Sequence, residues 1–158
     1  MRRTLLLLAA ATATLSSAAT GQPNYGGPPS FGTVNLRAGF NPDPRIVNVT
    51  AGGRLAASSI DSDCVGSVAN NPDVRLNYSA GATDLPLIIS VDSDDDTTLV
   101  VNGPDGRWYC DDDSGEEGNN PSLRFDDPGS GQYDIYIGHY AEGRSIPARL
   151  YISEVTSR

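Results

Sequence analysis

The chain has 158 residues, a net charge of −9, no lysine, and sixteen aspartates against four glutamates. That balance excludes a surface built for nucleic acid or anionic lipid, and its aspartate bias suits turns and oxygen-rich cation sites better than helix faces. Allowing for a leader and a short lead-in, roughly 125 residues remain, enough for one domain with its own core.

Residues 1–19 carry Arg2 and Arg3, an apolar run from Leu5 to Ala11, and small residues at Ser17 and Ala19. This is the pattern of a secretory signal peptide cleaved near Ala19. The apolar run is shorter than the roughly 20 residues that span a bilayer, so no membrane anchor is expected. Loss of both arginines with the leader takes the net charge from −9 to −11. The product is expected to be exported, to the periplasm or the extracellular space. Residues 20–30, TGQPNYGGPPS, cannot bury a face and read as a flexible linker, leaving 31–158 as a single domain.

From residue 31 onward no stretch sustains helical apolar spacing, while short β-branched and aromatic runs recur between Gly, Pro, Asn and Asp clusters. Strands are predicted at 33–36, 45–50, 54–60, 74–78, 85–91, 97–102, 107–110, 122–125, 132–139 and 148–155. Three of them alternate in period two through Leu85, Leu87, Ile89 and Val91, then Tyr133, Ile135 and Ile137, then Ala148, Leu150 and Ile152, with Ile88 as the main intruder. One face of each is expected to be buried. The fold class is therefore all-β, an antiparallel β-sandwich of jelly-roll-like topology. Pro86 cannot donate to a ladder, so it marks either an edge strand or a strand's first residue. The segments 126–131 and 141–147 read as exposed connections.

The densest chemistry lies in 92–120, which holds ten of the twenty acidic residues. Two acid triplets, Asp94-Asp95-Asp96 and Asp111-Asp112-Asp113, flank the predicted strands around Gly103-Pro104-Asp105-Gly106, which reads as a β-hairpin turn. Counted outward from that turn, Asp96 and Asp113 fall almost level, so the triplets should meet at the hairpin base. Calcium takes six to eight oxygen ligands, and Asp- and Asn-rich loops supply them. The candidate ligands are Asp96, Asp112, Asp113 and Asn120, with Asp94 and Asp111 in second rank; solvated surface charge is the alternative. Asp92, Asp94 and Asp96 copy the opening of an EF-hand loop, but Thr97 stands where its Gly belongs and Gly103 where its Glu belongs.

Two cysteines in an exported chain point to one disulfide, Cys64 to Cys110, against a zinc site short of ligands. Trp108, two residues from Cys110, is expected to pack against it. Asp113-Ser114-Gly115 lacks the apolar setting of an aspartic protease and reads as a turn. His139, the sole histidine, has no recognisable nucleophile elbow beside it. Tyr136, on the opposite face from Ile135 and Ile137, and Tyr140 are candidates for an exposed ligand surface.

The segments CVGSVANNPDVRLNY, LPLIISVDSDDDTTLVVNGPDGRWYCDDD, NNPSLRF, GSGQYDIYIGHY and ARLYISE, from Cys64 to Glu154, together resemble the bacterial pre-peptidase C-terminal domain family. That resemblance implies a jelly-roll-like sandwich, usually appended to secreted proteases, with proposed roles in secretion, attachment and calcium-supported folding, and no catalysis. The expected function is a non-catalytic exported module stabilised by calcium. The alternative is an envelope or extracellular adhesion module that binds a cell-envelope or matrix polymer, or a secreted protein, through Tyr136 and Tyr140. A small secreted hydrolase using His139 ranks third.

Overall fold

The computed structural model describes residues 21–158 apart from 83, 117 and 142. The leader expected over 1–19 lies outside the described residues. In chain order the strands are β1 (Thr33–Arg37), β2 (Arg45–Gly52), β3 (Leu55–Ala56), β4 (Ser67–Val68), β5 (Val74–Ser79), β6 (Leu87–Asp92), β7 (Thr97–Asn102), β8 (Trp108–Asp111), β9 (Ser122–Phe125), β10 (Gly131–His139) and β11 (Ser145–Ser153). They form two stacked sheets, a β-sandwich. The smaller sheet has the order β2-β11-β6-β9 and is antiparallel throughout.

The larger sheet is centred on β10. One edge of β10 carries β5 along Gly131–Ile135 and then β4 at His139, while the other carries β7 along Asp134–His139. Beyond these lie β1 on β5, β3 on β4, and β8 on β7. The β1–β5 pair is parallel, against the expectation of an antiparallel sandwich, whereas the rest of the ladder is antiparallel. From β5 onward the chain passes back and forth between the sheets at β5–β6, β6–β7, β8–β9, β9–β10 and β10–β11.

The period-two residues within the strands do what their spacing predicts. Leu87, Ile89, Val91, Tyr133, Ile135, Ile137, Ala148, Leu150 and Ile152 all enter one buried cluster between the sheets. Burying each large aliphatic side chain contributes about 1.5–3 kcal/mol. Ile88 faces the other way and is still buried. Past Ser153 the chain doubles back over that outer face: Ser153 Oγ accepts the Val155 and Thr156 amides, and the Arg158 amide donates to Ser90 Oγ. This turn ends β11 at Ser153, short of the predicted 155.

A second buried cluster lies on the outer face of the larger sheet. It joins Tyr136, Val100, Val68, Ala57 and Cys64, with Trp108, Cys110, Leu55 and Ile60 packed against it. The Cys64–Cys110 disulfide is formed, with Cα atoms 5.5 Å apart, and it pins the 57–66 segment over this face. Both faces of β10 are therefore covered, and every residue from Tyr133 to His139 is buried.

Several predicted boundaries change. The strand predicted at 54–60 is two residues of β3, paired with β4, followed by a 3-10 turn at Ala57–Ser59, because past Ala56 the chain turns over the sheet's outer face instead of continuing along its edge. The connection predicted at 141–147 is shorter, since Ser145 opens β11 and Ile146 is core. Pro147 lies within β11, where only β2 pairs with it, because β6 joins the ladder at Arg149. Pro86 falls just outside β6, which is an interior strand. The two-residue strand β4 has no counterpart among the predicted elements.

Residues 21–30 are not a free linker. The Asn24 amide donates to Asn70 O (2.6 Å) and the Ser30 amide to Pro72 O (2.9 Å). Arg75 Nη2 donates to the carbonyls of Tyr25 (2.7 Å) and Gly27 (3.0 Å), while its Nε pairs with Asp134 at 2.7 Å. Arg75 and Asp134 are directly opposed in the β5–β10 register, so one ion pair both joins two strands and straps down the lead-in.

Candidate functional site

The hairpin forms as its turn chemistry requires. β7 and β8 pair Leu99 with Asp111, Val100 with Cys110, Val101 with Tyr109 and Asn102 with Trp108. At the tip the Gly103 amide donates to Arg107 O (2.9 Å), the Arg107 amide donates to Asp105 Oδ1 (3.0 Å), and Gly106 takes φ +76°, which glycine adopts without a Cβ clash. The ladder stops at Leu99–Asp111, so Asp112 and Asp113 on one side and Asp94–Asp96 on the other lie beyond it. Extending the register sets Asp96 opposite Ser114, the residue after Asp113.

The candidate ligands divide into two kinds. Asp111 and Asn120 hold the loops. Asp111 Oδ2 accepts the amides of Ser114 (2.9 Å) and Ser122 (2.8 Å), and its Oδ1 accepts the Ser114 hydroxyl (2.6 Å). Asn120 is buried; its Oδ1 accepts the Thr97 hydroxyl (2.7 Å) and its Nδ2 donates to Ser93 O (2.8 Å). These bonds tie the 112–120 loop to β7 and to the segment ahead of it.

Asp96 and Asp112 are of the other kind, and Asp113 beside them is exposed. Asp96 Oδ1 is shut off from solvent without a hydrogen-bond partner among the described residues. The Asp112 carboxyl is pushed above its ordinary range, first by burial and then by the charges of Asp113, Asp111 and Asp96. Both triplets thus act on one carboxyl. Asp94 is exposed, Asp95 lies 3.8 Å from Arg144, and Asp92 pairs with Arg149. Nothing in the local sequence signals these arginines, which lie far along the chain: the β6–β11 pairing sets Arg149 opposite Asp92, and Arg144 stands just ahead of β11. Among the described residues, no three His, Cys, Asp or Glu side chains are gathered so as to hold a metal ion.

The aromatic surface is corrected. Tyr136 does oppose Ile135 and Ile137, but it is fully buried, 5.8 Å from Trp108, because the face it points to is covered by the second cluster. Tyr140 is 53% exposed. Trp108 packs against the same cluster as the disulfide, with its ring against Tyr136 and Tyr25. His139 is buried, with Nδ1 held by the Ala141 backbone at 2.7 and 2.8 Å. No family model matches the chain, and no curated protein matches it. No described helix is long and apolar enough to cross a membrane.

Proposed function

We propose that the chain is a non-catalytic, exported β-sandwich module whose hairpin base takes calcium, as its resemblance to pre-peptidase C-terminal domains implies. The observation that carries the calcium reading is Asp96 Oδ1, a buried carboxylate oxygen with no partner among the described residues, beside an Asp112 carboxyl raised by burial and three neighbouring acids. Buried charge of one sign is stabilised by a cation. Asp96 and Asp112 would hold the ion, with the exposed Asp113 drawn in on binding, since no three such side chains are gathered beforehand among the described residues; the ion's charge would offset their mutual repulsion, and Asp111 and Asn120 are left to the loops. The engagement of His139 with the neighbouring backbone supports a non-catalytic role.

The test is thermal unfolding with calcium and with chelator. Binding to the native state adds about 2.7 kcal/mol of stability by mass action at a hundredfold excess over Kd, and so raises the midpoint. The gain should vanish in Asp112→Asn/Asp113→Asn. Equal midpoints with saturating calcium and with chelator would refute the cation site.

A further inference from the structure

At the opposite end of the hairpin, its tip and the turn before β10 enclose a pocket of about 240 Å³ lined by Pro104, Asp105, Tyr109, Phe125, Asp127 and Tyr133. Three rings form its walls in edge-to-face contact, Tyr109 to Phe125 at 5.1 Å and Phe125 to Tyr133 at 5.5 Å. The pocket exists because glycine stands at Gly131: a Cβ there would lie 2.6 Å from Pro104 Cβ and push the tip away.

Its polar groups are one-sided. The Tyr109 hydroxyl donates to Asp105 Oδ2 (2.7 Å), and the Tyr133 hydroxyl donates to Gly129 O (2.8 Å). Both phenol protons are committed, so the side chains left to meet a ligand are carboxylates and ring faces. Asp105 is held below the ordinary carboxylate range, first by the Tyr109 hydroxyl and then by the Arg107 amide, and stays ionised. The volume is below the roughly 300–1,000 Å³ of pockets for drug-sized ligands and suits one side chain.

We propose that this pocket receives a primary ammonium group on an alkyl stem, as in a lysine side chain of a peptide or in a free amine. The rings take the stem and face the cation, and Asp105 and Asp127 take its charge. Arg107, 80% exposed and 3.7 Å from Asp105, is the protein's own competitor for that carboxylate.

The experiment is an NMR titration of the full chain, following the ring signals of Tyr109, Phe125 and Tyr133. The probes are Nα-acetyl-lysine methylamide and butylamine, with Nα-acetyl-norleucine methylamide and cellobiose as uncharged controls. Saturable shifts with the two amines, weakened by salt and about tenfold weaker in Asp105→Asn/Asp127→Asn, are expected. Arg107→Ala should tighten binding. Tighter binding of the lysine probe than of butylamine identifies a peptide source, and equal binding a free amine. Equal shifts from norleucine or cellobiose, or lysine binding unchanged in the double variant, would overturn the proposal.

Discussion

Asp73 shows how one side chain can stand in for a missing strand. β10 leaves β5 at Ile135 and meets β4 only at His139, so the Ile137 amide between them has no ladder partner on that edge; Asp73 Oδ2 accepts it at 2.7 Å. Burial raises the Asp73 carboxyl from 3.8 to about 7, against that hydrogen bond, which lowers it. The folded value is above the unfolded one, so the native state binds the extra proton. Stability from this group is full below about pH 4 and is lost as pH rises through about 7, on the order of 4 kcal/mol. Asp73→Asn keeps an acceptor for Ile137 and has no charge to bury. Urea midpoints should fall less between pH 5 and pH 8 in this variant than in the parent; Asp112, also raised, leaves some slope in both. None of this is readable in Asn-Pro-Asp, which signals a turn and says nothing of a gap in a distant ladder. Tyr136 teaches the same lesson: its parity is legible in the sequence, but what covers its face is not.

At the scale of elements, 97–102 and 122–125 stand to the residue where their β-branched and apolar content places them, while the three alternating strands stand within one to three residues of their predicted bounds. β3 and β4 do not, since two residues carry no period. The lead-in departs from its expected role for a related reason: composition reports that it cannot bury a face, yet its carbonyls are held by Arg75 from outside. Arg75→Met should therefore leave Asp134 buried without its ionic partner, at a cost of about 3–5 kcal/mol. It should also free the lead-in. Hydrogen exchange should show the amides of Asn24 and Ser30, protected in the parent, exchanging faster in the variant.

The whole molecule is held by two apolar clusters with the larger sheet between them, and the disulfide belongs to the outer one. Two cysteines in an exported pattern are enough to foresee the pairing, but not the layer it secures. Closing a separation of 46 residues, it contributes about 4 kcal/mol on the chain-entropy model. Cys64→Ser/Cys110→Ser should lower unfolding stability by about that amount in denaturant melts, and by more if the 57–66 cap loosens from Tyr136.

The order of the strands also sets a timetable. β10 lies at the centre of the larger sheet and β11 in the interior of the smaller one, yet they follow all the other described strands in the chain. Until they are made, only fragments can pair: β1 with β5, β3 with β4, β6 with β9, and the β7–β8 hairpin. Neither cluster can close around an absent centre, and the contacts that complete it span long stretches of chain, which slows folding. During synthesis the chain therefore stays open until β10 and β11 emerge, and the last strands to be made are the ones that close both sheets.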